Sequence, residues 1–104
     1  MQTTTGKIKL KFSSTFAALL NAKPASLIGI EYDIKNGATI GGVLNELVNQ
    51  YPLLRNYLFN PDGVEVNERI DIVLNGTLIK GKNIAGTSVK DGDTIFLLPV
   101  YEGG

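Results

Sequence analysis

One stretch of this chain reads as a long amphipathic helix, and its single apolar stripe dictates what the rest must supply. Ile40, Val43, Leu44, Leu47, Val48 and Tyr51 fall at i, i+3, i+4, i+7, i+8 and i+11, with Asn45, Glu46, Asn49 and Gln50 opposite. Such a stripe is stable only when an apolar surface covers it, and a sheet face is the natural cover. Thr39, behind the turn Lys35-Asn36-Gly37, stands where a side-chain oxygen caps a helix start. Gly41 and Gly42 weaken the first turn by roughly 1 kcal/mol each relative to alanine. They mark either close packing or a start that is only partly helical. Pro52 ends the regular helix, and Leu53 to Phe59 reads as an irregular or short helical continuation before the turn Asn60-Pro61-Asp62-Gly63.

The cover comes from period-two segments on both sides of that helix. Lys7 to Phe12 alternates, directing Ile8, Leu10 and Phe12 to a core and Lys7, Lys9 and Lys11 outward. Leu27 to Ile34 puts Ile28, Ile30, Tyr32 and Ile34 on one face and Leu27, Gly29, Glu31 and Asp33 on the other, so it pairs with the first strand as a hairpin. Between them, Phe16, Leu19 and Leu20 have helical spacing within Ser13 to Asn21, and Pro24 marks a loop from Ala22 to Ser26. Downstream, Arg69 to Leu74 runs into Asn75-Gly76, a strong hairpin turn signal, and then Thr77-Leu78-Ile79. Lys80 to Lys90 is a polar connection anchored by Ile84 and Val89, ahead of the turn at Asp91-Gly92-Asp93 and a strand from Thr94 to Leu98. Pro99 lacks an amide hydrogen for a ladder and closes that strand.

The element order is therefore β, β, α, β, short β, β. This is an α+β chain in the β-grasp arrangement that ubiquitin has: a mixed sheet of four to five strands with one main helix on one face. Residues 1–104 form a single domain, with 1–6 expected as a disordered N-terminus and 99–104 as a flexible tail.

Composition removes whole classes of chemistry. Ten Lys and Arg balance ten Asp and Glu, so no net field recruits nucleic acid or an anionic membrane. Cys and His are both absent, which excludes a thiol nucleophile, a disulfide frame, a zinc site of the usual ligands and the commonest general base. No apolar run follows Met1, and none approaches the length of a membrane span, so a soluble cytoplasmic protein is expected. Gly76 to Asn83 nearly matches a phosphate-binding loop, but Asn83 stands where Ser or Thr should hold magnesium and no helix is expected to follow. Asp91 and Asp93 flank a glycine as turn formers rather than as a carboxylate pair. No catalytic residue and no metal ligand set is expected.

The last two residues, Gly103-Gly104, make a chain end without Cβ atoms, able to thread a narrow channel and place a carboxylate at its end. From Pro99 the tail reaches about 20 Å at roughly 3.3 to 3.6 Å per residue. That suits a substrate more than a catalyst, although on the dipeptide alone a frayed or truncated end fits as well.

A set of fragments narrows the choice. Thr39-Ile40-Gly41-Gly42-Val43-Leu44 before Tyr51-Pro52, Leu53-Leu54-Arg55, Val73-Leu74-Asn75-Gly76, Val89-Lys90-Asp91-Gly92-Asp93 and the Pro-containing run to Gly103-Gly104 together resemble the sulfur-carrier family, over about Lys7 to Gly104. That family includes the small subunit of molybdopterin synthase and the thiamine sulfur carrier, with the archaeal small modifier proteins close by. The resemblance implies that an adenylyltransferase related to ubiquitin-activating enzymes uses ATP to adenylate Gly104. Sulfur transfer then converts Gly104 to a thiocarboxylate. Gly103, Glu102, Tyr101, Val100 and Pro99 would form the tail that enters the partner. The implied role is the small subunit of molybdopterin synthase, joined to the large subunit in a heterotetramer and delivering sulfur to the pterin precursor. The alternatives are a protein modifier forming isopeptide bonds through Gly104, and a thiamine-type carrier. Many small subunits have two prolines near the end, whereas here Val100-Tyr101-Glu102 follows Pro99, so this tail is less stiff.

Strand parity locates a docking face. With Ile95 and Leu97 under the helix, Phe96 and Leu98 turn to the opposite side. In the ubiquitin-like strand order the first and last strands are neighbours, which sets Lys7, Lys9 and Lys11 beside them and Asp71 and Val73 beyond. Phe96, Leu98 and Val73 with the three lysines are the expected docking residues. A covering loop from 13–26 or a homo-oligomer is the competing use of the same side chains.

Overall fold

A computed structural model of the chain describes residues 4–13, 16, 27–60, 66–67, 69–80 and 83–99. Strands β1 (Thr4–Ser13) and β2 (Leu27–Lys35) precede helix α1 (Ile40–Gln50). A 3-10 turn at Pro52–Leu54 leads into the short helix α2 (Arg55–Leu58). Strands β3 (Ile70–Leu74) and β4 (Thr77–Ile79), helix α3 (Asn83–Gly86) and strand β5 (Thr94–Pro99) follow. The sheet has five strands in the order β2-β1-β5-β3-β4. β1 and β5 are parallel and every other pair is antiparallel, so the last strand lies in the middle, beside the first. Helix α1 spans the expected residues, with Thr39 Oγ1 accepting from the Gly42 amide at 3.2 Å.

The core is built from rows of side chains that the register aligns on one sheet face. Ile28, Phe12, Leu97, Ile72 and Ile79 form one such row, and Ile30, Leu10, Ile95 and Leu74 the next. Across from them α1 buries Ile40, Val43, Leu44, Leu47 and Val48. Each large aliphatic side chain fully removed from water contributes about 1.5–3 kcal/mol. β2 is tied to α1 by the Tyr32 hydroxyl, which donates to the Glu46 carboxylate. Burial, then that bond, then the Glu46 charge hold the Tyr32 phenol neutral far above the usual range.

The structure departs from the sequence expectations in three places. Thr4 to Gly6, expected in a disordered N-terminus, belong to β1, because β2 is long enough for Thr4 to pair with Lys35 and Gly6 with Ile34 across a bulge. Pro99, expected at the head of the flexible tail, is the last residue of β5 and pairs with Ile70. The run from Pro52 to Leu58 takes the short helical form of the two that were expected, a 3-10 turn and α2. The polar connection also contains a helix, α3. It docks on the start of α1, where the Ile40 amide donates to the Thr87 carbonyl at 2.9 Å and the Val89 amide to the Ala38 carbonyl at 3.0 Å. Ile84 and Val89 are buried anchors, as expected. The helical spacing around Phe16 and the turn at Asn60 to Gly63 fall mostly outside the described residues; Phe16 itself is buried, edge-to-face on Phe12 at 5.7 Å.

Gly41 is where α3 and α1 meet. A Cβ there would stand 2.8 Å from the Ala85 carbonyl oxygen and 3.0 Å from Ala85 Cα, so one helix must move. Gly41→Ala is expected to destabilise by about 1–3 kcal/mol through overpacking, outweighing the roughly 1 kcal/mol of helix propensity that alanine supplies. Urea unfolding of both proteins measures the balance, and a stabilised variant would refute the close approach.

Candidate functional site

The site is the root of the C-terminal tail and the sheet face beside it. β5 is held on both edges almost to its end. Phe12 of β1 pairs with Leu97, and Ile70 of β3 pairs with Pro99. Ile70 and Pro99 are the last pair of the described ladder, and the chain entering β3 comes from the side of α2. The Asn67 amide donates to the Leu58 carbonyl at 2.8 Å, the Ile70 amide to the Asn67 carbonyl at 3.0 Å, and the Arg69 amide to Asn67 Oδ1 at 2.9 Å. The tail residues Val100, Tyr101, Glu102, Gly103 and Gly104 lie outside the described residues.

At its other end β5 is fastened by a clamp. Asp93, only 4% exposed, accepts from Asn75 Nδ2 and from the Lys90 amide at 2.9 Å each, while Asn75 Oδ1 accepts from the Thr94 amide at 2.9 Å. Asn75 and Gly76 have φ of 51° and 86°, the left-handed pair of a two-residue hairpin turn, so the turn residue that shapes β3–β4 also grips β5. Asp91 Oδ1 accepts from the Lys7 amide at 2.8 Å. Both aspartates are thus engaged in holding turns, as expected. Burial works to raise the Asp93 carboxyl, but the bonds from Asn75, the Lys90 amide and the Lys90 ammonium together outweigh it and hold the group below the usual carboxylate range.

A depressed carboxyl adds stability that is complete above the unfolded-state pKa and disappears as pH falls through the lower folded-state value. Asp93→Asn is expected to cost about 1–3 kcal/mol at neutral pH, the price of mismatched donors around a buried acceptor. The gap to the parent protein should shrink once pH drops below the usual carboxylate range. Thermal midpoints of the two proteins across an acid series test this, and a gap independent of pH would remove the charged state of Asp93 from the explanation.

The open sheet face carries the expected docking residues, and the register shows how they group. Phe96 lies between Lys11 and Val73, and Leu98 lies opposite Asp71. Phe96, Leu98, Val73 and Lys11 are half-buried, shielded by the strands on each side, whereas Lys7 and Lys9 are exposed. The lysines are not equivalent: Lys7 faces Asp33 and Lys9 faces Glu31, while Lys11 faces Gly29. Leu78, 45% exposed, was not among the expected residues, yet it lies opposite Val73. Leu78, Val73, Phe96 and Lys11 therefore run as one row across four strands. The two-residue turn at Asn75-Gly76 already implied that pairing, so the signal for Leu78 was present in the sequence. Among the described residues no helix is long and apolar enough to cross a membrane.

A family model matches residues 18–104. The chain belongs to the ThiS family. It is 29% identical over 98 residues to small archaeal modifier protein 3 of Haloferax volcanii, covering 94% of this chain and 99% of the relative. It is 31% identical over 75 residues to small archaeal modifier protein 1 of the same organism, covering 72% of this chain and 80% of the relative. The crystal structure of SAMP1 from that organism superimposes with a TM-score of 0.73 at 26% identity, covering 95% of this chain and 100% of the other. The fold is thus the ubiquitin-like β-grasp, and the chain is one of the ubiquitin-like sulfur carriers and modifiers.

Proposed function

We propose that this protein is a sulfur carrier whose working group is the carboxylate of Gly104. An ATP-dependent activating enzyme joins that carboxylate to AMP with loss of pyrophosphate. A sulfur nucleophile at the hydrosulfide level then displaces AMP and leaves a thiocarboxylate. The absence of Cys is compatible with this route, since the sulfur comes from the donor. In the fullest form of the proposal the chain works in the cytoplasm as the small subunit of molybdopterin synthase, with its tail from Val100 to Gly104 inside the large subunit. The observation that carries the reading is the anchorage of β5: clamped at Asp93, paired on both edges, ending at Pro99 and adjoined by a half-buried apolar row. Such a strand presents whatever follows it from a fixed point. Phe96, Leu98, Val73 and Leu78, with Lys11 at the end of the row and Lys7 and Lys9 at the rim, form the surface on which the partner docks.

A second reading is a protein modifier, favoured by the names of the two curated relatives. The adenylate is common to both, and the readings divide at the nucleophile, sulfur in one and a lysine amine in the other. Incubation with ATP, a sulfur donor and the cognate activating enzyme, followed by intact mass measurement, separates them. A gain corresponding to one oxygen replaced by sulfur supports the carrier. Ladders of larger species that require Gly104 support the modifier, and neither change with an active enzyme would sink both.

A further inference from the structure

A second unpartnered surface lies on the helix side of the tail root. Among the described residues the exposed large apolar side chains are Leu78, on the open face, and Leu53 and Tyr57, at 62% and 49% exposure. Leu53 and Tyr57 stand four residues apart in the helical run from Pro52 to Leu58. Tyr57 borders a cleft of about 290 Å³ with an apolar wall of Phe16, Ile70 and Pro99 and a polar rim of Asn56 and Arg69. The Asn67 and Ile70 backbone bonds draw the chain entering β3 toward α2, and among the described residues the β3–β5 pairing ends at Ile70 and Pro99, both of which line the cleft. Arg69 is exposed, and among the described residues it has no ion pair and no carboxylate lines the cleft.

The size limits the occupant. Pockets that enclose small molecules run to about 300–1,000 Å³, so this one, at the lower edge of that range, accommodates a side chain or two. We propose that it receives a segment of the activating enzyme that carries an aliphatic or aromatic side chain next to a carboxylate, so that the enzyme grips the tail root from both sides of the sheet. This rests on the adenylation reading. Continuity selects that occupant: Pro99 is at once the cleft wall and the residue from which the tail departs, so an enzyme holding the tail already stands at the cleft mouth. Charge selects its chemistry, because a guanidinium at the rim pairs with a carboxylate through two parallel hydrogen bonds. The apolar wall selects its tip.

The test is ATP–pyrophosphate exchange by the cognate activating enzyme with the full chain as varied substrate. For Arg69→Glu the KM for the carrier is expected to rise about five- to ten-fold while the rate at saturation stays within about two-fold, and added salt should narrow the difference. Tyr57→Ala should raise KM as well, and Arg69→Lys should recover part of the loss. Thermal midpoints equal to the parent's show that the variants fold. Unchanged KM in both Arg69→Glu and Tyr57→Ala, with exchange normal in the parent protein, overturns the cleft assignment alone. A lower KM or a faster reaction in Arg69→Glu overturns it in favour of the protein's own tail occupying the cleft. Sedimentation of a parent dimer that Arg69→Glu dissociates overturns it in favour of a second copy. No exchange with the parent protein removes the adenylation reading and this inference with it.

Discussion

Deletion of Gly104 is expected to abolish adenylate formation, read as loss of ATP–pyrophosphate exchange and of the sulfur-dependent mass gain. The expected loss follows from reach. Removing one residue withdraws the terminal carboxylate by about 3.3 to 3.6 Å, and misplacement of a reacting group by 1 Å already costs about 10²-fold. The drop should therefore exceed about 100-fold even though a carboxylate, now that of Gly103, is still present. The thermal midpoint should not move, because the paired part of the last strand ends at Pro99. Replacement of Gly104 by alanine restores the length but adds a Cβ, so it separates reach from width. Full exchange by the shortened chain would show that the reacting group lies elsewhere.

Leu97→Ala should be the most damaging change to the fold, while its neighbour Phe96→Asp should damage recognition. Leu97 has no exposed surface and sits between Phe12 and Ile72 in the middle of the sheet. Truncation of a fully buried leucine costs about 2–5 kcal/mol, a large share of the roughly 5–15 kcal/mol that hold a domain folded. At about 4–8 °C per kcal/mol for a chain of this size, the midpoint should fall by at least about 10 °C. One residue earlier the strand faces the other way. Phe96 is half-buried in the open-face row, so a charge there should shift the midpoint much less and raise the KM of the carrier in exchange assays. Equal thermal losses in the two variants would contradict the opposite facing of these side chains. An unchanged KM in Phe96→Asp would remove the open face as the docking surface.

Much of this was legible before any coordinates. The helical stripe from Ile40 to Val48 is buried residue for residue, and the alternation in Lys7 to Phe12 appears as buried Ile8, Leu10 and Phe12 against outward lysines. Periodicities of this kind are local, set by backbone geometry, and survive whatever the fold does. The site was partly legible. Parity placed Phe96 and Leu98 together, but that Lys11 alone of the three lysines lacks an acidic residue directly opposite is a matter of register between β1 and β2. The helix in the polar connection was missed because four residues, Asn83 to Gly86, carry no resolvable period; their conformation is imposed by docking on α1.

The sequence alone determined which segments are strands, which stripe of the helix is apolar and which turn joins β3 to β4, since each rests on side-chain period or on backbone angles that Asn and Gly tolerate. Tertiary structure alone decided what those segments meet. It placed Ala85 against Gly41, Asn75 on Asp93, and the cleft between Tyr57 and Pro99. All three join residues far apart in the chain, and a contact between distant residues depends on how whole elements pack, so that even where Gly41 hinted at a close approach nothing local named its partner.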